Sequence, residues 1–467
     1  MKKQFKICLT AVMAIFMLWG CDKGETATDP LASVPADAVA VARADFRKLI
    51  TEAGCVPVDG RYEITPVIQG LLASSDTSTL TLVSLLADIA PETDLSSVYW
   101  YIPSSGAKPV VTLQILDADA LMKRLSATAV ASVKIADYNV YTFSGASAVV
   151  RDSQLWIARS ADMAMEANDI AASAPFSADK VKSEALKAEA DIVAVLQAGQ
   201  LDIPGADLPS GAFVTASARC LRSGFYLNAY VSAPDGTPVY IGADMKPVDT
   251  SFASLMPRQT AACLALGSLD WRVVYPAALA ALGDKLGDNG RMVLSMLRPY
   301  IESIDGTVAV AVAPAAGTQS LGELSLSSWE VFLSASMPQE KLDQLTTLIS
   351  AMASMSDFPC RSNGDGTYAL VLEDCLTLTV GSIDGKFVIA NYDLSVAGVQ
   401  RLVPHLDNRV ALLDVDIPYD GDLARVLHMP WGVSVDAGIA SGVMDATIKL
   451  NGIKMPPLKA LLEGRAK

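Results

Sequence analysis

Four aspartates crowd one short stretch: Asp414 and Asp416 in Ala411-Leu412-Leu413-Asp414-Val415-Asp416, then Asp420 and Asp422. Residues two apart on a strand share a face, so Asp414 and Asp416 form a carboxylate pair of the kind acid–base chemistry uses. With the next two they also offer the oxygen ligands that Ca²⁺ takes. The EF-hand spacing with its closing Glu is missing. The pattern reads better as a solvated strand face running into an acidic turn. Asn363-Gly364-Asp365-Gly366 reads as a turn by its glycines. The two histidines, His405 and His428, are too far apart for a His-Glu-x-x-His site. There is no Gly-x-Ser-x-Gly elbow, no P-loop and no Gly-x-Gly-x-x-Gly. Ser105–Lys108 and Ser177–Lys180 match Ser-x-x-Lys, but the Lys-Thr-Gly that accompanies it in penicillin-binding proteins is absent. Catalytic, cofactor-binding and metal-binding residues are therefore all assigned as none.

Two other patterns invite a binding role. Tyr99-Trp100-Tyr101 on a strand would put the tyrosines on one face and the tryptophan on the other. Either face could stack a sugar, and core packing is the simpler use. Asp-aromatic-Arg occurs twice, as Asp45-Phe46-Arg47 and Asp270-Trp271-Arg272. An Asp between a strand and an apolar-periodic stretch is what a helix N-cap requires: its carboxylate accepts N–H groups of the first turn. Both are expected to do so.

The elements that would position these residues follow an order that is met twice. Each half opens with Pro, a small-residue strand and the Asp-aromatic-Arg step, and 225 residues separate Asp45 from Asp270. A helical stretch with a proline (Pro66, Pro276) and a strand (SSVYWYI; DGTVAVAVA) follow. A further strand then leads into an amphipathic helix (from Asp117; from Gln339). Three short strands come next, YNVYTF-SAVVRD-QLWIAR and TYALVLE-LTLTVGS-KFVIANY, with Trp156 and Phe387 in the third. A helix (ADMAMEANDIAAS; LSVAGVQRLVPHL), another strand and two long alternating strands close each half. Asp235-Gly236, Asp365-Gly366 and Asp384-Gly385 are hairpin turns, so the sheets should be antiparallel. The expected fold is α+β, with two similar tandem units at 31–250 and 251–467.

The N terminus has its own logic. Lys2, Lys3 and Lys6 precede a 12-residue apolar stretch, Ile7 to Leu18, which is too short to span a bilayer and fits a signal segment. Leu18-Trp19-Gly20-Cys21 closes it and resembles the bacterial lipobox, in which cleavage precedes an acylated cysteine. Residues 1–20 are thus expected to be a lipoprotein signal peptide and 21–30 a lipidated Cys21 with a polar tether. The expected location is the cell envelope, on an outer-membrane lipoprotein facing the periplasm or the cell surface. Of the other cysteines, Cys8 would leave with the signal. Cys55, Cys220, Cys263, Cys360 and Cys375 remain, an odd number without a Cys-x-x-Cys, and Cys360 with Cys375 would be the best-placed pair.

Composition narrows the partners. The chain of 467 residues is 51% hydrophobic and 19% charged, with net charge −15. Loss of three lysines with the signal makes that −18. Phosphate-backbone binding needs clustered cations, so nucleic acid is excluded as a partner, and anionic lipid would repel the body. Membrane attachment therefore falls to the N-terminal lipid, beside an unknown protein or glycan partner.

The opening Pro35-Ala36-Asp37-Ala38-Val39-Ala40-Val41, followed by Asp45-Phe46-Arg47, resembles uncharacterised Bacteroidetes lipoproteins of unknown function. Those begin with a Pro-x-Asp-Ala-x-x-Val strand and an Asp-capped helix; Pro35, Asp37, Ala38, Val41 and Asp45 carry the likeness. The resemblance implies an envelope location and a related architecture, and brings no catalytic residues. The reading that follows is a lipid-anchored, non-enzymatic binding or scaffold protein. The alternatives are an envelope hydrolase with an unrecognised carboxylate site, for which Asp414 and Asp416 are the first suspects, and a surface-assembly or adhesion subunit.

Overall fold

The computed structural model describes residues 30–73, 77–104, 108–200, 208–240, 245–282, 287–315, 328–355, 359–371, 376–398, 408–427 and 429–465. Cys21 with its lipobox, Ser105, Cys375, His405 and His428 lie outside them. The described chain is mixed α+β and forms two compact units, Met1–Val239 with Ile453–Lys467, and Tyr240–Gly452. This differs from the expected ranges 31–250 and 251–467. The chain crosses between units at 239/240, and its last segment belongs to the first unit. The physical reason for the second difference is a C-terminal helix, Pro457–Arg465, whose Leu458, Ala460 and Leu462 are buried. The stem of Lys459 lies so close to Gly54 that a Cβ there would sit 2.6 Å from Lys459 Cδ. Gly54 also takes φ +87°, and that backbone conformation keeps the position a glycine, whereas the flexible lysine stem could shift.

In the first unit, β1 (Ala40–Ala44) runs into α1 (Phe46–Glu52), and a short hairpin pairs β2 (Val56–Val58) with β3 (Arg61–Glu63). Then come α2 (Pro66–Ala73), α3 (Thr77–Asp88), β4 (Thr93–Ile102), β5 (Val110–Ile115) and α4 (Ala118–Thr128). The proline expected inside a helix, Pro66, is in fact the first residue of α2, where its missing N–H costs nothing. Four hairpin strands follow: β6 (Ala131–Ile135), β7 (Tyr138–Phe143), β8 (Ala146–Arg151) and β9 (Gln154–Ala158). The unit continues through α5 (Ala161–Ser173), α6 (Lys180–Ala185), β10 (Ile192–Gln197), β11 (Phe213–Leu221), β12 (Gly224–Ser232) and β13 (Pro238–Val239). Every pairing is antiparallel, in the order β13-β12-β11-β10-β1-β4-β5-β9-β8-β7-β6. One face of this sheet buries Val41, Tyr101, Val149, Trp156, Val193 and Phe213. Helix α5 covers that face with Ala164 and Ala167.

The second unit opens with a 3₁₀ turn, Thr250–Leu255, and β14 (Ala262–Leu266). Next are α7 (Trp271–Leu282), α8 (Asp288–Ile301), β15 (Val308–Pro314), β16 (Trp329–Ser336) and α9 (Gln339–Met355). The sheet then adds β17 (Cys360–Ser362), β18 (Thr367–Val371), β19 (Thr377–Ile383) and β20 (Lys386–Ala390). It ends with β21 (Arg409–Ile417), α10 (Asp422–Val426), β22 (Gly432–Ala440) and β23 (Val443–Asn451). The order is β23-β22-β21-β14-β15-β16-β20-β19-β18-β17, antiparallel throughout. One cluster gathers Phe252, Met256, Cys263, Ala311, Phe332 and Leu412; another packs Leu342 and Leu345 of α9 against Val380 and Phe387. Of the helix expected over 394–406, only a 3₁₀ turn, Leu394–Val396, falls among the described residues. The Asp384-Gly385 turn between β19 and β20 has φ +49° and +74°, the left-handed pair that a two-residue hairpin needs.

Candidate functional site

Asp414 and Asp416 lie on β21 with the expected period. Asp414 is buried, which corrects the expected solvated strand face, because β21 pairs on both sides: Asp414 lies opposite Cys263 of β14 and Asp436 of β22. Two carboxylates in register would repel, and Arg409 supplies the counter-charge. Its guanidinium forms an ion pair with Asp436 and lies 3.3 Å from Asp445 Oδ2 on β23. The bulge between Arg409 and Ala411 is what brings an arginine from the start of β21 into this row. Asp416 accepts a hydrogen bond from Ser434 Oγ at 3.1 Å, and that hydroxyl accepts from Asn451 Nδ2 at 2.9 Å. Asp420 contributes its carbonyl to Arg425 Nη2 at 3.3 Å, in the turn before α10. The row is thus a cross-strand polar network. Among the described residues no three His, Cys, Asp or Glu side chains gather as a metal site. Asp436, Asp445 and Arg409 were not singled out from sequence. Only the strand register shows that they meet.

Tyr99 and Tyr101 do share a face, but it is the core face, with exposures of 5% and 0%. Trp100 points the other way and is half-buried, in register with Ala42 and Val111. A sugar platform on the tyrosine face is therefore closed. Burial raises the Tyr101 phenol well above its ordinary range. Among the described residues Cys55, Cys220, Cys263 and Cys360 form no disulfide with one another, and the expected partner of Cys360, Cys375, lies outside those residues. Burial pushes the thiols of Cys55 and Cys220 up, which makes both poor nucleophiles at neutral pH.

The two Asp-aromatic-Arg steps diverge. Asp270 caps α7 as expected, its Oδ1 accepting from Arg272 N–H at 3.0 Å. Asp45 does not cap α1. Its Oδ1 is buried with no hydrogen-bond partner, which corrects the expectation for that residue. The cause is tertiary. The Asp45 N–H donates to Asp191 O at 3.2 Å, which ties the corner to the residue just before β10. Burial pushes the carboxyl up to about 7; Arg47 and Arg43 oppose that rise, and Asp94 and Asp191 reinforce it. Asp191, raised chiefly by burial, accepts from Lys48 Nζ at 3.5 Å and from the Cys220 N–H at 3.1 Å.

No family model matches the chain, and no curated protein matches it. Among solved structures, crystal form III of TP0453 is similar at 12% identity, covering 47% of this chain and 84% of that one with a TM-score of 0.28. Crystal form IV gives 12% identity and the same TM-score, over 44% and 81%. Likeness at that level carries no statement about fold or function.

Proposed function

We propose that this is a lipid-anchored protein of the cell envelope that works by binding or scaffolding, without catalysis of its own. The observation that carries the reading is Leu18-Trp19-Gly20-Cys21 placed directly behind a basic, 12-residue apolar segment. An acylated Cys21 would hold the acidic body at a membrane that its charge disfavours. The polar side chains most suggestive of chemistry, on β21 to β23, are tied to one another across strands, as a framework requires. The partner class is a protein or a glycan.

We infer also that the body arose by duplication. Supporting this, β12-β11-β10-β1-β4-β5-β9-β8-β7-β6 corresponds strand for strand with β23-β22-β21-β14-β15-β16-β20-β19-β18-β17. Asp45 follows β1 and Asp270 follows β14, while Trp156 lies on β9 and Phe387 on β20, the matching strand. A chance match of ten strands in order has little room among antiparallel sheets whose connections differ in length.

Cell fractionation tests the anchored-scaffold reading. The wild-type chain should sediment with membranes and cross-link there to a defined neighbour. Cys21→Ala should leave the membrane fraction and lose that neighbour. Equal distribution of the two proteins would remove the anchor, and an Asp414→Asn-sensitive hydrolytic activity would favour the hydrolase instead.

A further inference from the structure

The half-buried Asp45 side chain, whose Oδ1 is buried without a hydrogen-bond partner, is the one feature of the opening motif that a capping role leaves unused. The charged groups around it come from every element at that corner. Arg43 lies on β1, and Arg47 and Lys48 lie on α1. Asp94 comes from β4, and Asp191 precedes β10. Arg219, Cys220 and Glu52 form the next layer, acting on Asp191 and Cys220. Three of these groups are already engaged. Arg43 donates to the carbonyls of Ala188 and Ala190 at 2.9 and 3.1 Å. Asp94 Oδ1 accepts from the Ser96 N–H at 2.9 Å, and Lys48 reaches Asp191. None donates to Asp45 Oδ1.

We propose that the β1–α1 corner is a proton-responsive joint: a neutral Asp45 carboxyl holds it closed, and ionisation loosens the start of α1. A neutral carboxyl tolerates a seat that gives Oδ1 no donor, whereas a carboxylate there is desolvated, a cost that Arg47 and Arg43 offset only in part. Outside the seat, an ionised side chain regains its hydration, which favours its leaving. Leaving the seat disturbs the backbone link from Asp45 to Asp191, and with it the contact of β1 with the start of β10. A carboxyl of ordinary acidity would stay ionised and keep the joint in one state across neutral pH. The upward push on Asp45, to about 7, brings the change into that range.

The test is Asp-selective carboxyl ¹³C NMR on the full chain, with Asp45→Asn identifying the resonance, read beside hydrogen-exchange protection of the residue 45 amide, which donates to Asp191 O, and of the amides of residues 49–53. The expected result is an Asp45 midpoint near 7 and protection that falls several-fold as pH rises through it. Asp45→Asn should hold that protection level. Asp45→Ser, also neutral, repeats the comparison if the asparagine disturbs the fold. A midpoint near the ordinary value of ~4 overturns the proposal. So does an equal fall of protection in wild type and both variants.

Discussion

Removing Glu92 should cost the first unit far more than a surface charge would. Glu92 and Arg124 have side-chain exposures of 7% and 16%. Arg124 Nε donates to Glu92 Oε2 at 2.8 Å and its Nη2 to Oε1, a two-pronged pair that joins α4 to the turn ahead of β4. The Glu92 carbonyl also accepts from the Leu116 and Asp117 N–H groups, so this turn anchors the start of α4. Breaking a buried pair by removing one partner costs ~3–5 kcal/mol, because the other charge stays buried. Asp88, 3.7 Å from Arg124 Nη1, remains as a weak acceptor and puts the expectation at the low end, ~3 kcal/mol for Glu92→Ala. At ~2–4 °C per kcal/mol for a body of this size, the melting temperature should fall by ~6–12 °C. The assay is a double-mutant cycle of Glu92→Ala, Arg124→Ala and both together. Hydrogen exchange of first-unit peptides should follow it, since Trp100 and Trp156 report on one unit and Trp271, Trp329 and Trp431 on the other. A coupling energy of ~2 kcal/mol or more is expected. Single costs under ~1 kcal/mol that simply add would refute the argument and make the pair an ordinary surface bridge.

Other perturbations follow the same reasoning. A carboxyl raised in the folded state stabilises fully below its unfolded value, 3.8, and that contribution is lost as pH rises through the folded value, about 7. For Asp45, linkage allows a loss of at most ~2.6 kcal/mol between about pH 5 and about pH 8, and half-burial reduces it to ~1–2 kcal/mol. Denaturant titrations at the two pH values should show this slope in wild type, flattened in Asp45→Asn. Asp270→Ala removes a working cap and should cost ~0.5–2 kcal/mol, read as faster amide exchange in the first turn of α7, whereas Asp45→Ala has no cap to lose. Gly381→Ala would place a Cβ 2.5 Å from Gly366 O and 2.6 Å from Thr367 Cα. Backbone cannot yield cheaply, so β18 and β19 must part, and thermal denaturation should show a loss of ~1–3 kcal/mol or more.

Much of this architecture is legible from local pattern. Alternation marks β11, β12, β22 and β23, and Asp-Gly turns mark the hairpins, because strand period and left-handed turn residues are properties of a few neighbouring residues. Asp270 reads correctly for the same reason. Asp45 sits in the same local pattern and behaves differently, because Asp191 is 146 residues away in the chain and meets it only through β-sheet pairing. The face that Tyr99 shares with Tyr101 is predictable; that it is the buried one depends on the strands beside it. β6 carries no burial alternation because all five of its residues are exposed, and Pro57 interrupts the pattern of β2. The membership of the C-terminal helix in the first unit has no local signal at all. Its apolar residues say that it packs, without saying on what.

The central claim is that the chain is held to a membrane through Cys21, and mass spectrometry of the N-terminal peptide of protein extracted from membranes tests it most directly. The account predicts a peptide beginning at Cys21, heavier than its amino-acid mass by covalent lipid. Cys21→Ala should yield no such species. An unmodified peptide that still contains residues N-terminal to Cys21, from protein found in the membrane fraction, would contradict the account.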